Sequence, residues 1–233
     1  MKSLATLLKL CTLAIALVTS GCVNSLVYSP SLNLPVEPLK KEQGQVILGG
    51  LMLPETRPHQ SDEKVKTGGE ALLRYAFADN FALGVKGWTD FGIDKTITNE
   101  NGTFTQPVAQ RGGIALQGSF HLPASNGYRF AIIPTVAYLS AGNEFPAQGA
   151  SVAFATWFPK LGVITPYTAV GPAIGFRNSN EWGYGAIVNL GAAMEIFTNI
   201  TLNAEVAGIV QVNQYDNITH GVVSPSVSLG WTF

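Results

Sequence analysis

The feature that most narrows the fold of this chain is its last twelve residues, Val222–Phe233, which read VVSPSVSLGWTF. Val223, Pro225, Val227, Leu229, Trp231 and Phe233 fall on one side of an extended strand. Ser224, Ser226, Ser228, Gly230 and Thr232 fall on the other. Successive side chains of a strand point to opposite faces, so this period of two predicts a strand with unlike surroundings on its two sides.

Similar extended stretches recur upstream. Ten candidate strands follow one another: Gly44–Leu53, Thr67–Phe77, Phe81–Gly92, Val108–His121, Tyr128–Leu139, Gly149–Phe158, Thr165–Phe176, Tyr184–Phe197, Thr201–Val212 and Val222–Phe233. Most are long enough to cross a bilayer at a tilt, which takes about 9–11 residues. Long connections (Pro54–Lys66, Ile93–Pro107, Ser140–Gln148, Asn213–Gly221) alternate with short ones (Ala78–Asn80, Leu122–Gly127, Pro159–Ile164, Thr198–Ile200). Arg177–Gly183, in the long series, is of middling length. Transmembrane barrels show this asymmetry, with short periplasmic turns and longer external loops. An even number of strands then puts both ends of the barrel in the periplasm. Gly44–Leu53 is rich in Gly and Leu on both faces, so its register stays open.

Alternation alone also suits a soluble, ligand-filled barrel, and the polar face separates the two. It carries Glu70, Arg74, Lys86, Asp90, Arg111, Arg129, Glu195 and Glu205, set mostly among Gly, Ala and Ser. On a lipid face a Lys or Arg at mid-bilayer would cost roughly 2–4 kcal/mol. Charged residues are 12% of the chain, against roughly 25% in soluble domains. A water-facing surface this poor in charge is a poor design, whereas a narrow lumen suits small side chains and a few paired ions. On the apolar face Phe77, Phe81, Phe120, Tyr128, Phe130, Phe158, Trp231 and Phe233 gather at one rim. Phe91, Tyr138, Phe176 and Tyr184 gather at the other, with Leu73, Val85, Ile132, Val170, Leu190 and Val206 between. Aromatic girdles around an aliphatic band mark a bilayer-spanning barrel. The expected fold is all-β: a closed antiparallel transmembrane β-barrel of about ten strands. Eight strands with one hairpin outside is the alternative. Pro134 and Pro172 sit mid-strand, where bulges or broken pairing are expected.

The closing strand resembles that of bacterial outer-membrane β-barrel proteins, a likeness that covers 44–233 as a pattern. It implies that Trp231 and Phe233 form the insertion signal read by the barrel-assembly machinery. Residues 1–21 have a basic start at Lys2 and Lys9 and an apolar run from Leu10 to Val18, the architecture of a secretory signal. Val18-Thr19-Ser20-Gly21-Cys22 resembles a bacterial lipobox, with Thr19 where Leu is more usual. That resemblance implies a signal peptide over 1–21, lipidation of Cys22, handling by the lipoprotein-export machinery and a lipid anchor on the periplasmic side of the outer membrane. Val23 and Asn24, in place of Asp, point the same way; ordinary cleavage with Cys22 as a free thiol is the alternative. Residues 22–43 hold Pro30, Pro35 and Pro38 and end on Lys40, Lys41 and Glu42, which suits an extended periplasmic linker. The alternative is a plug inside the barrel.

For chemistry, a three-residue turn over Thr198–Ile200 would set Glu195 opposite Asn203 and diagonal to Glu205. Two close carboxylates form an acid/base pair or a cation site, or they join an ion network across the lumen with Arg74, Lys86, Arg111 and Arg129. The network is the expected reading, because charges within an apolar wall need partners. Glu70 and Lys86 are expected to be diagonal neighbours across the first short turn. His59 stands in a long connection beside Asp62 and Glu63, and His121 points inward. Asp90, Asp216 and His220 are the one set that could serve an omptin-like outer-rim hydrolase. Resemblance to a lipid A deacylase would require a His-x-Ser pair on the lipid-facing surface; His59-Gln60-Ser61 has that spacing but stands in the first long connection. Cys11 and Cys22 form no disulfide framework or zinc pattern, so no metal and no cofactor are expected. A net charge of −1 without a basic stripe excludes nucleic acid. Outer-membrane lipids are the expected surroundings, with the protein partner unknown. The function expected is a non-enzymatic envelope role, structural or partner-binding through external loops. A narrow passive pore for small polar solutes and the outer-rim hydrolase are the alternatives.

Overall fold

The computed structural model describes residues 31–53, 66–91, 95–99, 102–106, 111–141, 144–178, 181–213 and 219–233. Twelve strands are found among them: β1 (Gly44–Leu53), β2 (Lys66–Ala78), β3 (Phe81–Asp90), β4 (Lys95–Asn99), β5 (Gly102–Gln106), β6 (Arg111–Ser125), β7 (Tyr128–Ala141), β8 (Glu144–Trp157), β9 (Ile164–Asn178), β10 (Glu181–Phe197), β11 (Ile200–Asn213) and β12 (Thr219–Thr232). Ten of them close an antiparallel barrel in the order β1-β12-β11-β10-β9-β8-β7-β6-β3-β2. β4 and β5 form a separate two-stranded hairpin within the long connection over 93–107, a feature the alternation does not reveal.

Pairing of β1 with both β12 and β2 closes the wall. At the seam Gly44 and Phe233 exchange N–H···O bonds of 2.8 and 2.9 Å. A side chain at Gly44 would meet the Phe233 ring at 2.5 Å, so the terminal ring would have to shift to admit one. The short turns are tight. Asn126 and Gly127, both with positive φ (51° and 80°), join Ser125 to Tyr128, as a two-residue hairpin of primed type requires.

Outward are the greasy residues: Leu73 is 55% exposed, Val85 48% and Trp231 57%. Inward on β12 are Ser224, Ser226 and Ser228, all buried. The opening stretch thus faces as its alternation predicts. In β1 the inward side is Gln45, Ile47, Gly49 and Leu51. Ile47 and Leu51 are buried apolar residues inside the barrel, which is why pattern alone leaves this strand's register open.

Pro134 and Pro172 are accommodated without bulges. Each keeps one neighbour, Val152 and Ala186 respectively. On the other side the ladder skips, from Gln117↔Thr135 to Phe120↔Ile132 and from Ser151↔Ala173 to Phe154↔Val170, with the register kept. The missing proline N–H therefore costs local pairing only.

Candidate functional site: a lumen filled by the chain's own amino-terminal segment

A wall of Gly, Ala and Ser with scattered ions leaves a core that must be filled, and residues 31–39 fill it. Ser31, Leu32, Asn33, Leu34, Val36 and Leu39 are all buried. Leu32, Leu34 and Val36 pack in one apolar cluster with Trp157, Tyr167 and inward alanines of β7–β10. The plug alternative for 22–43 is thus the one that residues 31–39 adopt. A leucine-alternating segment has somewhere to bury its apolar side chains inside the barrel; in the periplasm it would have none.

Polar recognition centres on Leu32 and Asn33. The Glu205 carboxylate accepts the N–H of Leu32 at 2.7 Å and that of Asn33 at 2.9 Å. It also accepts Tyr167 Oη–H at 2.7 Å and Asn189 Nδ2–H at 2.6 Å. Arg74 takes the carbonyls, donating to Leu32 O at 3.1 Å and Asn33 O at 3.3 Å. Its remaining donors reach Gln117 Oε1 at 2.8 Å and Gln45 Oε1 at 3.2 Å. Asn33 has a left-handed backbone (φ 50°), which Asn adopts more readily than most residues.

Side chains of the segment are read one level along. Lys86 and Glu70 form a buried ion pair at 2.7 Å, diagonal across β2 and β3. Both also contact Ser31: its hydroxyl donates to Glu70 Oε2 at 2.5 Å, and Lys86 Nζ donates to its carbonyl at 2.7 Å. Asn33 Nδ2 donates to Glu70 Oε1 at 2.8 Å, and Ser228 Oγ donates to Asn33 Oδ1 at 2.8 Å. Trp157 Nε1 donates to Pro35 O at 2.9 Å. At the short-turn end Glu37 lies 3.0 Å from Lys160 and 3.8 Å from Arg129. The hydrogen bond from Lys160 is the main influence lowering the Glu37 pKa, against partial burial that raises it.

Several sequence-derived sites are placed differently from one another. Glu70, Arg74, Lys86 and Glu205 meet around the segment. Arg129 stands apart, at the short-turn end beside Glu37. Glu195 departs from the expected register: the turn is two residues, Phe197 pairs with Ile200, and an irregularity between Glu195 and Phe197 sets Glu195 opposite Thr201. It is exposed at the rim, away from Glu205, so the two carboxylates form no pair. His121 is half-buried, with Nε2 3.3 Å from Ser119 Oγ. Arg111 lies on β6, but its side chain is outside the described residues, as are those of Asp90 and His220. Asp216, His59 and Cys22 lie outside them altogether. By backbone, Asp90 ends β3 and His220 opens β12, with β1 and β2 between them. Trp231 and Phe233 lie against each other with ring centroids 5.3 Å apart and planes tilted by 43°. Among the described residues no group of three or more His, Cys, Asp and Glu could hold a metal.

Tyr167 and Trp157 are the parts of the site that residue patterns missed, while the segment is read from its residues as a linker first and as a plug only in the alternative. One signal was present: Ser31-Leu32-Asn33-Leu34 alternates as a strand does, ahead of the barrel.

No protein-family model matches the chain, and no curated protein matches it in sequence. Solved structures do. The β domain of the Bordetella autotransporter BrkA superposes with a TM-score of 0.54 at 10% identity, covering 83% of this chain and 100% of that one. The Escherichia coli outer membrane protease OmpT gives 0.46 at 7% identity, covering 90% and 99%. The attachment invasion locus protein Ail of Yersinia pestis gives 0.32 at 10%, covering 83% and 99%. All three are bacterial outer-membrane barrels; the BrkA superposition carries the shared barrel fold, and at 10% identity the likeness extends to nothing finer.

Proposed function

We propose that this protein is an outer-membrane β-barrel lipoprotein with a non-enzymatic envelope role: a barrel sealed by its own amino-terminal segment, acting through its outward-facing connections. Support for the membrane comes from the aliphatic outer band and its aromatic rims. Support for lipidation is the lipobox-like ending at Cys22. Fold alone assigns no activity, so the functional reading rests on the site.

The observation that carries it is the pairing of Glu205 and Arg74 with the main chain of Leu32–Asn33. A segment bound at buried ionic groups is part of the folded core, and it takes the room a solute would need. A pore reading must therefore supply the energy to expel it. Purified full-length protein in planar bilayers should give current at background, while a chain lacking residues 31–39 should conduct. Steady ohmic conductance from the full-length chain would overturn the sealed-barrel reading.

A further inference from the structure

The course of the segment through the lumen has a fixed direction. The terminal Phe233 and the two-residue turns at 79–80, 126–127 and 198–199 define one end of the barrel, and the chain is at that end when it joins β1. There Glu42 N–H bonds to Ala76 O at 2.8 Å, and Lys41 N–H to Asp79 Oδ1 at 2.8 Å, beside the β2–β3 turn. Going back along the chain, each residue meets the wall further from that end. Glu37 meets Arg129 and Lys160, near the β7 start and the β8–β9 turn. Pro35 meets Trp157, the last residue of β8. Leu32 and Asn33 meet Arg74, four residues in from the end of β2, and Glu205, five in from the start of β11. Ser31 meets Glu70, eight residues in from that end of β2 and four from the other.

We infer that the chain is threaded through its own barrel, so that the part preceding Ser31 leaves by the end that carries the long connections. The way back is occupied: Leu32, Leu34, Val36, Trp157 and Tyr167 fill the half of the lumen nearer the short turns. Ahead, the four residues from Glu70 to the start of β2 amount to about 10 Å of tilted wall. Cys22 lies nine positions before Ser31, an extended reach of about 30 Å. A lipid on Cys22 then inserts in the outward leaflet, not the periplasmic one expected from strand parity. The barrel serves as a conduit that delivers its own anchor to the far side.

Single cysteines at two positions test the threading, with a membrane-impermeant maleimide as probe and the unsubstituted chain as background. In intact cells Ser25→Cys should label as fully as after permeabilisation of the outer membrane. Lys41→Cys, whose side chain is exposed at the short-turn end, should label only after it. Heat-modifiable gel migration verifies that both variants fold. The reverse pattern keeps the threading but overturns the orientation, and with it the outward-facing connections of the proposed function. Labelling of both positions from the same side overturns the threading, and so does failure of Ser25→Cys to label from either side.

Discussion

Arg74 on β2 and Glu205 on β11 are bridged by the two residues of main chain between them: the carboxylate holds both N–H groups of Leu32–Asn33 and the guanidinium holds both carbonyls. Neither ion faces hydrocarbon, and each has its charge spread over several hydrogen bonds. An ion buried in this way is stabilised only while all its partners are present.

Glu205→Gln puts an amide in place of an acceptor that serves four donors. At least one buried N–H loses its partner, which costs about 1–3 kcal/mol, more because the acceptor is charged. The expected outcome is a urea midpoint lowered for the refolded barrel in detergent. Residues 31–39 should also become protease-sensitive well before the wall unfolds.

Lys86 and Glu70 should show strong non-additivity. Lys86→Met leaves a buried carboxylate without its cation, and Glu70→Gln leaves the reverse, each costing about 3–5 kcal/mol. The double variant should lose clearly less than the two single losses combined, as a double-mutant cycle on denaturation midpoints would show.

Gly191 lies against the Tyr167 ring, and an added Cβ would fall 2.3 Å from Cζ of that ring. Gly191→Ala should push Tyr167 off Glu205 and destabilise by about 1–3 kcal/mol, the usual range for overpacking. Gly50→Ala is the control, since its Cβ would meet nothing closer than 3.9 Å. Its midpoint should match that of the unsubstituted chain.

Acid should loosen the segment first at its short-turn end. The Glu37 pKa is lowered from 4.5 in the folded protein, chiefly by the hydrogen bond from Lys160. A depressed carboxylate pKa contributes stability that is present above the unfolded value and is lost as pH falls through the folded one. Its side chain is 59% exposed, so solvent screening keeps the contribution small. Amide exchange near Glu37 should rise below about pH 4, and Glu37→Gln should abolish that pH step.

The architecture was legible because it rests on local repetition. Alternation in β12 and its counterparts depends on each residue and its second neighbour, and hydrocarbon outside the wall forbids the opposite facing. The Glu70–Lys86 diagonal was legible for a similar reason: one tight turn joins two adjacent strands. Glu195 was misplaced because a single irregularity near a turn shifts the partner along the strand, and nothing in the residue types of Thr198–Ile200 distinguishes two turn residues from three.

Periodicity, sidedness and the placing of Glu70, Arg74, Lys86 and Glu205 on the inner face were thus settled by the order of residues, because each follows from short-range geometry and the cost of charge in lipid. What fills the lumen was decided only in three dimensions. Glu205 lies more than 170 positions from Leu32, and the two meet because ten strands close on themselves. Only that closure turns a proline-bearing, linker-like stretch into the barrel's core, since it alone creates an enclosed interior with ions placed to hold a main chain.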